Sequence, residues 1–225
     1  MSKKTCVLLS GQLRNAKDYY ESIKKNLIDV YNADVFISTW EDSGLGCTIG
    51  EIVDLYNPIA YEVEKDNLQF LENMVSPFEW RKPNEATKPL STFAMFYKIL
   101  RVHKLKHIHD SMRLDRYDTV IRCRFDLEIN SPIGLIEPKE NTLYIPKGWD
   151  WHKGYNDLFA IGDSKVMNYY SNIFYHLLGL LDEGYMLHPE YLLKVYLDKA
   201  AFNIERPLMD ISLGDKKIFE HGINE

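Results

Sequence analysis

Short apolar runs and helical apolar stripes alternate along the opening of the chain. Residues 5–10 (TCVLLS) are almost continuously apolar, the pattern of a strand buried on both faces. A loop through Gly11, Gln12, Leu13 and Arg14 then opens a helix over about 15–31, where Tyr19, Ile23, Leu27 and Tyr31 recur at helical spacing. Residues 34–39 (DVFIST) form a second apolar strand. Strand, helix, strand in that order predicts a right-handed parallel crossover, the start of an α/β domain. Ligands of such sheets bind outside the carboxyl ends of the strands, which puts residues 11–14 and 39–41 on the functional edge.

The same patterning carries on. It predicts a glycine-bearing loop over 42–50, a short helix over 51–56, a third strand over 59–64 and a further helix over 66–74. Residues 76–89 carry Pro77, Pro83 and Pro89 among charges and read as an irregular surface loop, of a length that is often functional. Ser91 or Thr92 is placed to cap a long helix to about His109, with Phe93, Phe96, Leu100 and Val102 among its apolar positions. Later strands are expected over 142–145 and 158–161, flanking a polar and aromatic loop over 148–157 (GWDWHKGYND). Gly162, Asp163 and Ser164 end the second of these strands and cap a helix to about Leu181. His188, Pro189 and Glu190 open the last clear helix, with proline at the first helical position, where its missing N–H costs nothing. Beyond Arg206 the periodicity is weak, and a surface-draped tail is expected. Without repeats or a linker, the chain reads as one domain over 1–225, with a mixed, mostly parallel sheet flanked by helices.

Residues 117–130 (YDTVIRCRFDLEIN) hold the main candidate chemistry. Read as a strand over 120–129, they start apolar and then carry Arg122, Arg124, Asp126 and Glu128 at every second position, on one face. Two carboxylates on one edge can share a hard divalent cation through oxygen ligands, and the arginines can grip phosphate oxygens bidentately. The competing reading is a solvated edge strand with cross-strand ion pairs.

Bulk composition narrows the partners. With 225 residues, 45% hydrophobic and 27% charged, the chain is an ordinary globular length and balance. A net charge of -6 argues against binding nucleic acid mainly through its phosphates. Cys6, Cys47 and Cys123 are too few and scattered for a disulfide framework or zinc site, which points to a reducing, cytoplasmic compartment. No apolar run reaches bilayer-spanning length, and the start of the chain reads as a strand rather than a secretory signal.

The remaining candidates are weighed against plainer roles. Gly11 to Arg14 lies where a strand feeds a helix N-terminus, a natural anion edge, yet it is neither a P-loop nor a G-x-G-x-x-G fingerprint. His103, His107 and His109 sit among Lys104 and Lys106, so a solvated basic face is expected rather than a metal site. Asp157 and Glu190 are candidate general bases, although Glu190 also suits a first-turn acid complementing the helix dipole. His188 is either a third metal ligand or a helix-entry residue, with the latter favoured. No G-x-S-x-G nucleophile motif is present.

Taken in order, a strand ending in GQLR, a second ending in STW, then YDTVIRCRFDLEI, GYNDLFAIGDSKVMNYY and HPEYLL resemble small GT-A-type glycosyltransferases of polysaccharide, lipopolysaccharide and large-virus glycan gene sets. The likeness spans about residues 6–197. It implies a GT-A (Rossmann-like) fold, a nucleotide-diphospho-sugar donor and a glycan acceptor. It also implies a divalent metal, Mn or Mg, on a D-x-D-like motif, here Asp126 and Glu128. Gly11, Gln12 and Arg14 would line the nucleotide pocket, with Thr39 and Trp40 near the base or ribose. Arg122 and Arg124 would serve the diphosphate, and Asp157 and Glu190 would face the acceptor or the reacting carbon. The alternatives are a non-catalytic nucleotide- or glycan-binding module of the same fold, or a nucleotidyltransferase.

Overall fold

The computed structural model describes residues 3–41, 46–65, 67–113 and 116–213, together with the backbone of 216–217. Residues 42–45 of the loop expected over 42–50, the start of the helix expected at Asp66 and the end of the tail therefore lie outside the described residues. Strands β1 (Thr5–Gly11), β2 (Asp34–Trp40), β3 (Ala60–Glu64), β4 (Thr119–Cys123), β6 (Thr142–Tyr144), β7 (Phe159–Gly162) and β8 (Asn203–Glu205) form a seven-stranded sheet in the order β3-β2-β1-β4-β7-β6-β8. It is parallel through β3-β2-β1-β4 and again at β6-β8, and antiparallel on both sides of β7. A three-stranded antiparallel sheet joins β5 (Leu127–Ile129), β9 (Ile211–Leu213) and β10 (Lys216–Lys217). The fold is thus α/β with a mixed, mostly parallel sheet between helices.

Alternation explains why the strands are apolar throughout. Cys6 and Leu8 of β1 join one core, while Val7 and Leu9 join the other. The first core is covered by α4 (Gln69–Val75), α5 (Pro89–Arg113), α6 (Ser164–Ser171), α7 (Leu177–Asp182) and α8 (Pro189–Asp198). The second is covered by α1 (Ala16–Ile23) and α3 (Ile49–Tyr56). Between α1 and α2 (Asp29–Tyr31), residues Lys24–Ile28 wind as a π turn that carries Asn26 inward. Asn26 Nδ2 donates to the Ile129 carbonyl at 2.6 Å, tying this helix to β5. The caps follow from sequence: Thr48 and Glu51 form a capping box at α3, and Asp163 Oδ1 accepts from the Val166 N–H at α6.

Several expectations change. The stretch expected as one strand over 120–129 is two. After Cys123 the chain turns at residues 125–126, and Leu127 to Ile129 leave the large sheet to pair with β9. Cys123, Phe125, Leu127 and Ile129 all stay in one core, so burial of the odd positions survives the turn while the pairing partner changes. The tail beyond Arg206 is not merely draped, because β9 supplies that partner. Residues 76–89 are not wholly irregular: Ser76–Arg81 form a 3-10 turn. Helix α5 starts at Pro89, so Ser91 and Thr92 lie within its first turn rather than capping it. The basic face of α5 is not fully solvated either. His103 and Lys106 are buried, and Lys106 is paired with Asp110 at 2.8 Å and donates to Ser164 Oγ.

Candidate active site

The strand order reverses between β1 and β4. In open α/β sheets a crevice forms at that switch point, because the connections leave the two strands in opposite directions. A cleft of about 770 Å³ lies there, lined from the β1 end by Ser10, Gly11, Gln12 and Arg14 and from the β4 end by Arg122, Arg124 and Asp126. Trp40 of β2, Asp157 before β7 and Glu190 of α8 complete the ring of expected residues. Of the residues that the resemblance assigns to the site, Thr39 and Glu128 do not line it. Thr39 is buried and its Oγ1 donates to the Gly11 carbonyl at 2.8 Å, so it shapes the first loop from behind. Glu128 sits past the turn on β5, where its Oε2 accepts from Ser212 Oγ at 3.1 Å. The expectation of four charges on one strand face is not met: only Arg122 lies on β4, although Arg124 and Asp126 beyond its end join it in lining the cleft and Glu128 does not.

The charged groups are arranged in two sets. In the first, Asp126 is held by two guanidiniums. Arg124 Nε and Nη2 each lie 2.7 Å from one of its oxygens, and Arg14 Nη1 reaches Oδ2 at 2.7 Å. Burial pushes the Asp126 carboxyl up, but Arg124 and then Arg14 outweigh it and hold it below the usual range. Arg14 takes a backbone φ of +42°, in the left-handed region that costs a non-glycine residue of order 1 kcal/mol. The Asp126 pair and a bond from Cys47 Sγ to the Arg14 carbonyl hold it there.

The second set is deeper. Arg122 is 1% exposed and donates from Nη1 to the Asp157 carbonyl, while its Nε and Nη2 have no protein partner. Buried donors are almost always satisfied, so an unpartnered edge on a residue that lines the cleft points to a ligand or solvent oxygen as partner. Glu190 is 8% exposed, and its Oε2 lies 2.9 Å from Nδ1 of His188. Burial first, and then the charge of Asp157 beside it, push the Glu190 carboxyl up to about 7. A carboxylate near that value exchanges a proton readily at neutral pH, as a general base must.

The loop over residues 148–157 fixes this second set. Asp150 accepts from the Gly148 and Asn156 N–H groups and from Arg206 Nη2, and Asn156 returns a bond to the Gly148 carbonyl. Trp149, His152 and Lys153 all take positive φ. Gly154 lies so close to α8 that a Cβ there would sit 2.2 Å from the Glu190 carbonyl carbon, and the Tyr155 N–H donates to the Glu190 carbonyl at 3.0 Å. The loop that ends in Asp157 therefore also seats the backbone of Glu190.

Sequence reasoning missed other members of the cleft. Asn84, Thr87 and Lys88 line it from the proline-bearing loop, where Asn84 Oδ1 accepts from the Ala86 and Thr87 N–H groups. The signal was present in that loop's length and its Asn and Pro content, without a motif to fix which residues turn inward. Trp151 and His152 also line it, with His152 edge-on at 4.4 Å between ring centroids to His188, the residue weighed from sequence as a metal ligand or helix entry. Trp40 contributes to the wall while lying over buried Lys98 Nζ at 4.0 Å and stacking on Tyr97. Lys98 in turn pairs with Glu64 at 2.5 Å. No helix among the described residues is long and apolar enough to cross a membrane.

Comparison with known proteins adds little. No protein-family model and no curated protein matches the chain. Among solved structures, it is similar to the apo crystal structure of mouse xyloside xylosyltransferase 1, at 10% identity over 93% of this chain and 86% of that one, with a TM-score of 0.46.

Proposed function

We propose that the chain is a glycosyltransferase of GT-A type, moving a sugar from a nucleotide-diphospho-sugar to a glycan hydroxyl. The observation that carries this reading is the pairing, in one switch-point cleft, of an arginine-rich wall with two buried carboxylates, Asp157 and Glu190. Its volume suits a drug- to nucleotide-sized ligand. The wall supplies donors where negative charge develops on a departing diphosphate. The carboxylates supply a proton acceptor for the incoming hydroxyl. Glu190 is the stronger candidate base, because its raised carboxyl accepts a proton near neutrality. Trp40 and Trp151 offer aromatic surface to a base or sugar ring.

The divalent metal that the GT-A resemblance implies does not fit these residues as a D-x-D-like pair. Glu128 is turned onto the other sheet, and both oxygens of Asp126 are taken by arginines. Among the described residues no three His, Cys, Asp or Glu side chains converge as ligands for one ion.

Calorimetric titration with UDP-, GDP- and dTDP-sugars, with and without manganese, tests the reading. Saturable binding of at least one donor is expected, and binding of none would end it.

A further inference from the structure

We infer that this cleft neutralises its ligand's phosphate charge with arginines alone, and that Asp126 serves to position two of them rather than to hold a cation. The inference rests on the glycosyl-transfer reading for the identity of the ligand, but its physical basis is the geometry of Arg14, Arg122, Arg124 and Asp126.

In a metal site the carboxylate turns its oxygen lone pairs to the ion. Here Oδ1 of Asp126 accepts from Arg124 Nε, and Oδ2 accepts from both Arg124 Nη2 and Arg14 Nη1, each at 2.7 Å. A dication bound to either oxygen would lie beside a guanidinium, like charge against like charge. Glu128, the other oxygen donor the motif would need, is engaged with Ser212. The same bonds give Asp126 a different task. It draws Arg14 from the β1 loop and Arg124 from the β4 end to a common point between the strands.

Arg122 completes the arrangement. Its Nη1 is spent on the Asp157 carbonyl, which fixes the guanidinium plane. The Nε and Nη2 edge, the edge that grips two oxygens of a phosphate side-on, is left without a protein partner although the residue is buried. The space for it comes from register: Arg122 lies opposite Ala160 on β7, a small neighbour. Three guanidiniums thus bound one side of the cleft, one of them with an open bidentate edge.

In transfer, the bond from the anomeric carbon to the diphosphate oxygen breaks, and its electron pair stays with that oxygen. The acceptor oxygen forms the new bond to the same carbon and passes its proton to Glu190. The departing nucleoside diphosphate carries one more negative charge than it did as an ester. The open edge of Arg122 and the guanidinium of Arg14 take up that charge, so no cation is consumed or required.

The test uses the full chain and inorganic pyrophosphate as probe, titrated by calorimetry in excess EDTA, with Mn2+ binding followed separately by the paramagnetic resonance of the free ion. Pyrophosphate is expected to bind in EDTA. Affinity should fall at least tenfold in Arg122→Met and in Arg14→Met, and should stay within twofold in Glu128→Gln. The Arg14 side chain is 47% exposed, so that variant carries the test if the buried Arg122 substitution does not fold. Mn2+ should bind Asp126→Asn no more weakly than it binds the parent chain. Pyrophosphate binding that appears only with Mn2+, Mn2+ binding that Asp126→Asn weakens tenfold, or no pyrophosphate binding in either condition would each overturn the inference. Pyrophosphate bound in EDTA without turnover of any nucleotide-sugar would leave the arginine subsite standing and refute the glycosyl-transfer reading instead.

Discussion

Replacing Glu190 with glutamine should make the protein more stable at alkaline pH while removing its proposed activity. In the folded chain the Glu190 carboxyl is raised to about 7 by burial and by Asp157, against an ordinary value of 4.5. Unfolded, it ionises freely. The folded state therefore keeps its proton over a range where the unfolded state has lost it. The stability this contributes is fully present below pH 4.5 and is lost as pH rises through about 7. The separation of the two values corresponds to roughly 3 kcal/mol. Glutamine is neutral throughout and mimics the protonated form, so the variant escapes this loss. Urea denaturation of both proteins at pH 4.5 and pH 8 measures the effect, since titrating groups that do not interact with Glu190 cancel in the difference. The variant's advantage should grow by about 3 kcal/mol between those pH values, while turnover falls about 10²–10⁴-fold with the base removed. A variant that is less stable at pH 8, or whose difference from the parent does not change with pH, would refute the reasoning.

Other substitutions separate positioning from packing. Gly154→Ala places a methyl 2.2 Å from the Glu190 carbonyl carbon, so the loop or α8 must move. A loss of roughly 1–3 kcal/mol in urea melts and a fall of about 10²-fold in kcat are expected, and an unchanged kcat would detach the loop from the chemistry. Thr48→Ala breaks the capping box of α3, whose residues do not line the cleft. It should cost about 1 kcal/mol by denaturation with donor affinity unaltered. Asp110→Asn leaves buried Lys106 without its carboxylate partner. Thermal unfolding should show a loss of roughly 3–5 kcal/mol, and a neutral result would mean that the pair is relaxed by water.

Much of the fold was legible because it follows from local patterning. The continuous apolar runs of β1 and β2 and the stripe of α1 dictate a parallel crossover, and the switch point follows from it. Asp163 and Pro189 mark helix starts by their own chemistry. The break after Cys123 was not legible. Period two runs unbroken through residues 120–129, and only the distant β9 reveals that Leu127 to Ile129 pair elsewhere. That long-range pairing removed Glu128 from the site. Asp126, before the break, pairs with arginines where the motif suggested a metal. Arg14 and Asp126 are 112 positions apart, and no local rule joins them. The Gly154 contact with Glu190 belongs to the same class: a glycine in a polar loop is unremarkable until the helix that needs its missing side chain is in place.

The account stands most directly on donor turnover. Purified chain incubated with a panel of nucleotide-diphospho-sugars in excess EDTA should release free sugar and nucleoside diphosphate from at least one donor. That release should drop at least about 10²-fold in Glu190→Gln or Asp157→Asn. A folded protein that releases sugar from no donor, or releases it equally well with both carboxylates removed, would contradict the account.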